Sequence, residues 1–262
     1  MAKFCPLFSS SSGNATYIGS GESAIIIDVG VSARRLEKAL YNIGVEPSSL
    51  DAVFITHEHA DHKYGLRVFA SRYGIKVYGT EGTLSALEDD GDLVNCRYDV
   101  IPDEGVEAGS LLVKPFRTSH DSAESCGYTV DTPDGRKLSV CTDLGYVSDT
   151  VSEAISGSDL ILLESNHDVR MLENGPYPYH LKQRIKGKRG HLSNECCADE
   201  AQKLLQSGTT RIVLGHLSEK NNIPQLAYQT TFNGLNSTGA KADSDYILKV
   251  AGLEWNGKAI ML

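Results

Sequence analysis

The chain has 262 residues, 40% hydrophobic and 23% charged, a globular composition that can bury a sizeable core. Its formal net charge of −9 on its own argues against a polyanionic partner, since an acidic surface repels phosphate. No apolar run approaches the roughly 18 residues needed to cross a bilayer, and Met1-Ala2-Lys3-Phe4-Cys5-Pro6 has neither the apolar stretch nor the cleavage site of a leader. With no linker-like segment either, the expectation is one domain over residues 1–262, cytoplasmic and without a membrane partner.

In chain order, Ser9-Ser10-Ser11-Ser12-Gly13 reads as a loop ahead of a strand, forming a backbone-lined wall. Ala24-Ile25-Ile26-Ile27 is a buried strand ending at Asp28, and 33–43 places Leu36, Ala39, Leu40 and Ile43 on one helical face. A second strand, 52–56, ends at His57, and a helix over 66–73 follows. Strands at 111–116, 137–142 and 160–163 lead to His120, Asp143 and Glu164. Ser193 is a candidate N-cap for a helix over 194–206, and strand 211–215 ends at His216. The tail Leu253–Ile260 suggests a hairpin around Asn256-Gly257. Strand after strand stops at a metal-capable residue, which suits an α/β layer protein whose loops build the site.

The densest chemistry is His57-Glu58-His59-Ala60-Asp61-His62. In an extended segment His57 and His59 point the same way and can grip one ion, while Asp61 and His62 can grip a second. Imidazole and carboxylate suit Zn, Mn or Fe. The six cysteines contain no Cys-x-x-Cys pair and read as small buried hydrophobes rather than ligands or disulfides.

The motif resembles that of the metallo-β-lactamase superfamily, and the resemblance runs the length of the chain. It implies an αββα four-layer sandwich with a binuclear site at one edge of the two sheets, and two divalent ions per chain, Zn or Mn, with Fe also compatible. It makes His57, His59, His120 and Asp143 the ligands of one ion, and Asp61, His62, His216 and the shared Asp143 those of the other. Asp28 corresponds to an acid that supports the histidine loop without binding metal. Neither a Glu at position 59 with a flavin domain nor a large insertion after Asp143 is present, which sets aside the diiron oxidoreductases and the β-CASP nucleases.

Three features favour phosphodiester chemistry. Lys182, Arg184, Lys186, Lys188 and Arg189 form a basic strip on an acidic chain, suited to a phosphate backbone. His191 and Ser193 open the helix at 194, where free backbone N–H groups favour phosphate. Gly190-His191-Leu192-Ser193 and Gly215-His216-Leu217-Ser218 resemble the late motifs of tRNase Z-like phosphodiesterases. With Ser10–Thr16, Thr56–His62 and Glu164–Asp168, these segments are similar to the YycJ/WalJ group, thought to be DNA exonucleases. The resemblance implies a hydroxide between the two ions as nucleophile, Asp61 and His191 as catalytic groups, and DNA ahead of RNA as substrate. Ser12, Asn14, His167, Ser193 and the five basic residues are the expected substrate contacts; His180 reads as structural or surface. The rival reading is a hydrolase of a small ester, thioester, lactone or cyclic phosphodiester.

Overall fold

A computed structural model describes residues 1–255 and 257–262, grouped in two compact units. The first comprises Met1–Pro115, Ser122–Arg136 and Leu253–Leu262; the second comprises Phe116–Asp121 and Lys137–Gly252.

The first unit is built on a seven-stranded sheet. Strands β1 (Ala2–Ser10), β2 (Gly13–Ser20) and β3 (Ser23–Ile27) are antiparallel neighbours, and β3 continues in parallel through β4 (Ala52–Phe54), β5 (Lys76–Gly79) and β6 (Arg97–Val100). Ile25, Ile26, Ile27, Val53 and Phe54 are all fully buried, which is why β3 and β4 read as unbroken apolar runs rather than alternating ones. Helices α1 (Ala33–Asn42), α2 (Ala60–Lys63), α3 (Leu66–Tyr73) and α4 (Glu81–Asp89) join the strands. Leu36, Ala39 and Leu40 bury one face of α1, as their spacing foretold, and Ser32 caps it. Strands β7 (Val106–Ala108), β8 (Leu111–Arg117) and β9 (Cys126–Asp131) follow one another in strand order.

The second unit carries the parallel strands β10 (Lys137–Cys141), β11 (Leu160–Glu164), β12 (Arg211–Gly215) and β13 (Ile247–Val250), neighbours in that order. Its helices are α5 (Asp149–Ile155), α6 (Val169–Asn174), α7 (Tyr179–Lys186), α8 (Asn194–Gln206) and α9 (Pro224–Ser237). Helix α8 has the expected bounds, with the Ser193 hydroxyl accepting from the Cys196 N–H.

Two segments differ from the sequence reading. Ser9 and Ser10 lie in β1, so only Ser11 and Ser12 of the serine run form the turn ahead of a strand, at the tip of the β1–β2 hairpin. At the tail, strand β14 (Ile260–Met261) pairs with β1; the expected Asn-Gly turn falls on Asn256, outside the described residues. All six cysteines are free. Cys5, Cys126, Cys141 and Cys197 are buried, Cys96 is half-buried and Cys196 exposed. Among the described residues no helix is long and apolar enough to cross a membrane.

Candidate metal centre

In the first unit the chemistry lies beyond the carboxyl ends of β3 and β4. Asp28 leaves β3 with φ 64° and is buried. Its Oδ1 accepts from the Thr56 N–H at 2.8 Å, and its Oδ2 accepts from His62 Nδ1 at 2.8 Å. The Thr56 hydroxyl lies 2.9 Å from Asp28 Oδ2 and 3.0 Å from His57 Nδ1, so it donates to the carboxylate and accepts from the imidazole. Burial pushes the Asp28 carboxyl up, against the opposing charge and hydrogen bond of His62 and the two bonds from Thr56. With their Nδ1 atoms engaged, His57 and His62 turn Nε2 toward the motif. His57 Nε2 is 3.0 Å from His59 Nδ1, and His62 Nε2 is 3.5 Å from Asp61 Oδ2.

The second unit gathers Asp143, Glu164, His191 and His216, whose donor atoms lie within 4.8 Å of one another. Glu164, the last residue of β11, is fully buried and is the hub. One oxygen accepts from His191 Nδ1 (2.9 Å) and His216 Nδ1 (2.7 Å), the other from the N–H groups of Leu144 (3.1 Å) and Leu192 (3.0 Å). Burial alone would raise this carboxyl, but the charges and hydrogen bonds of His191 and His216 hold it well below the usual carboxylate range. His120 donates from Nδ1 to the Gly190 carbonyl (3.0 Å), leaving Nε2 3.8 Å from Asp143 Oδ1. Burial lowers the His120 pKa, with Asp143 opposing.

The donor set fits divalent cations. Five imidazoles, of His57, His62, His120, His191 and His216, have Nδ1 fixed by a hydroxyl, carboxylate or backbone carbonyl, the outer contact that metal-binding histidines require. Gaps such as the 3.8 Å between His120 and Asp143 are too long for a hydrogen bond but suit two bonds of about 2.0–2.2 Å to a shared ion. No thiolate competes: burial pushes the Cys141 thiol well above its usual value. Backbone geometry carries the same mark. Asp28, Asp143 and His216, three of the five non-glycine residues with left-handed backbone among those described, adopt φ of 64°, 59° and 54°, a region that costs about 1–3 kcal/mol.

Expected substrate contacts are distributed differently. Asn14 is buried, its amide nitrogen 2.9 Å from the Ser10 carbonyl, 3.1 Å from His62 Nε2 and 3.4 Å from Asp61 Oδ2, so it braces the motif. Ser12 is exposed at the hairpin tip. His167 is buried and its Nδ1 has no hydrogen-bond partner; burial pulls its pKa down to about 4. His191 keeps 21% of its side chain exposed, whereas His216 keeps 1%. Of the basic strip, Lys182, Arg184 and Lys186 lie on α7, with His180 exposed near its start, and Lys188 and Arg189 lie in the turn that follows. Arg184 pairs with Asp121, Lys186 with Glu173 at 2.7 Å, Lys182 donates to the Glu173 carbonyl, and Arg189 Nε donates to the His120 carbonyl. Two residues with clear work at the site, Glu164 and Thr56, had no role in the sequence reading beyond their place in motifs.

A family model described as beta-lactamase superfamily domain matches residues 24–217. The chain belongs to that superfamily. Exodeoxyribonuclease WalJ of Streptococcus pneumoniae is 38% identical over 237 residues, 89% of this chain and 88% of the relative. Exodeoxyribonuclease YycJ of Bacillus anthracis is 35% identical over 238 residues, 90% of each. Among solved structures, the metallo-β-lactamase fold protein YhfI from Bacillus subtilis aligns with 97% of this chain and 98% of its own length at TM-score 0.73 and 14% identity. The superfamily member described here therefore has the α/β fold expected from its motifs, with mixed sheets and flanking helices, and is a metal-dependent hydrolase.

Proposed function

We propose that this protein is a cytoplasmic exonuclease that hydrolyses phosphodiester bonds at DNA ends with the help of two divalent metal ions. The observation that carries the reading is the Glu164 hub. One carboxylate orients two neighbouring imidazoles, His216 closed from solvent and His191 partly open to it. A buried imidazole suits a ligand; its half-open neighbour suits a group that meets substrate. Similarity to two exodeoxyribonucleases over about nine-tenths of the chain supports the same substrate class. The family match runs through residues of both units, which supports reading 1–262 as one working domain.

The resemblance assigns His57, His59, His120 and Asp143 to one ion, and Asp61, His62, His216 and Asp143 to the other, Zn or Mn being suited to these donors. Such ions supply Lewis acidity, offsetting phosphoryl charge and letting water attack at neutral pH. The protein's own share is positional and protonic. Thr56, Asp28, the Gly190 carbonyl and Glu164 fix the imidazole tautomers, so that Nε2 lone pairs face inward without reorganisation. Asp61, only partly buried, accepts a proton from the attacking water. His191, its Nδ1 proton held by Glu164, uses Nε2 to stabilise the phosphate or to protonate the leaving oxygen. Lys182, Lys186 and Lys188 contact the phosphate backbone without reading sequence, Lys186 exchanging its weak pair with Glu173 and Lys182 its bond to the Glu173 carbonyl for phosphates.

Digestion of end-labelled DNA and RNA, each single- and double-stranded, with Mn²⁺ or Zn²⁺ supplied, tests the proposal. Shortening of DNA from an end is expected. Cleavage of small esters with no cleavage of any nucleic acid would replace this reading with that of a small-ester hydrolase.

A further inference from the structure

The first unit holds a cavity of about 560 Å³ beside the histidine motif, with Asp61 in its wall. Its volume lies in the range of small-molecule sites. Two of its lining groups suit a planar, charged ligand. Tyr64, immediately after α2 and two residues past His62, is 73% exposed, although large aromatic rings are normally mostly buried. Arg35 lies over the ring of Phe8 at 4.7 Å, which fixes the guanidinium while 54% of the side chain remains exposed. It pairs with Glu254 at 3.8 Å, a half-exposed contact of the kind that contributes little and exchanges readily. Ser12 adds an exposed hydroxyl at the rim, and Val31 an apolar floor.

The cavity is held rigidly to the motif. A Cβ on Gly30 would fall 1.7 Å from the Asp61 carbonyl oxygen, so the loop after β3 packs backbone to backbone against the residue that carries the chemistry. Gly30 N–H also donates to the Asn14 carbonyl at 2.8 Å, tying in the β1–β2 hairpin. A flat exposed ring, a fixed guanidinium and hydroxyls around one depression match a nucleotide, which offers a base to stack on and a phosphate to pair with.

We propose that this cavity is a nucleotide subsite in which Tyr64 stacks on a base and Arg35 pairs with the adjoining phosphate, holding the strand next to Asp61. The assignment rests on the reading of the protein as a nuclease, and it names residues for which that reading gives no role. Because stacking is indifferent to base identity, the subsite favours single-stranded nucleotides without sequence preference.

The test is equilibrium binding of a short single-stranded phosphorothioate DNA to the metal-loaded protein, with cleavage of ordinary DNA measured separately. Tyr64→Ala should weaken binding about 5- to 150-fold, the range over which a base–aromatic stack acts, and Tyr64→Trp should retain it. Arg35→Gln should flatten the dependence of log affinity on log salt by about 0.7, the loss of one phosphate contact on a single strand. Both side chains are largely exposed, so unchanged thermal midpoints are expected. Wild-type affinity and salt slope in Tyr64→Ala and Arg35→Gln would overturn the subsite, even if the wild type cuts DNA. Failure of the wild type to cut DNA would count against the nuclease reading instead, while the binding result would still decide the subsite.

Discussion

Replacing Glu164 by Gln changes one atom of a fully buried side chain and leaves its volume unchanged, yet no placement of the amide satisfies its surroundings. One carboxylate oxygen accepts from the N–H groups of Leu144 and Leu192, the other from Nδ1 of His191 and His216. If the new NH₂ faces the backbone, two buried donors lose their acceptor at about 1–3 kcal/mol each, so the fold should lose about 2–6 kcal/mol. If it faces the imidazoles, both must accept through Nδ1 and carry their protons on Nε2, the atoms that would bind metal or substrate. Metal affinity or activity should then fall about 10- to 100-fold. Urea unfolding, together with elemental analysis of the purified protein, separates the two outcomes. The wild-type carboxylate also has an acid signature. Its folded pKa lies below the unfolded value of about 4.3, so its contribution is complete above that value and fades as pH falls through the folded pKa. Glu164→Gln should remove that part of the acid limb. A variant within about 0.5 kcal/mol of wild type, with full metal content and turnover, would refute the hub.

Thr56→Val keeps the shape of the side chain but removes the hydroxyl shared by Asp28 and His57; stability should fall by about 1–3 kcal/mol in urea titrations and metal content should drop. His167 is buried with its pKa near 4, so the unfolded chain binds a proton that the folded one refuses, and stability should rise with pH between about 4 and 6.5. His167→Leu should flatten that rise, worth up to about 3 kcal/mol, in unfolding curves taken across the interval. Substituting Gln for Lys182, Lys186 and Lys188 together, while keeping Arg184 on Asp121 and Arg189 on the His120 carbonyl, should flatten the salt slope of duplex DNA binding by up to about 2.7 units. An unchanged slope would leave the strip as a solvated helix end and turn.

What could be read from the chain, and what could not, follows from the range of each signal. The runs before Asp28, His57, Asp143, Glu164 and His216 announce themselves because strands buried on both faces are mostly apolar, with at most a small hydroxyl such as Ser139, so the first ionisable residue after the run lies at or just past the strand end. Ser193 declares α8 by local capping chemistry. Helix α7 gives no comparable signal: it buries no residue, so no apolar stripe exists to be counted, and its lysines and arginine look the same in a loop. The role of Glu164 is invisible for another reason, since its imidazole partners lie 27 and 52 residues away.

Left-handed backbone is where local preference and final structure part company. Asp28, Asp143 and His216 each follow a parallel strand and turn through φ values of 54–64°, positions where glycine would be unstrained. Glycine could make those turns but could not supply the carboxylates or the imidazole. At Asp28 and His216 the strain persists because hydrogen bonds, of Asp28 to Thr56 and His62 and of His216 to Glu164, over-determine the conformation. In each unit taken separately, the rule is broken where a strand gives way to the chemistry, at Asp28 in the first and at Asp143 and His216 in the second. Asn95 and Asp243 share the left-handed backbone but stand in turns, so backbone strain points to the site only where it coincides with a strand end and a metal-capable side chain.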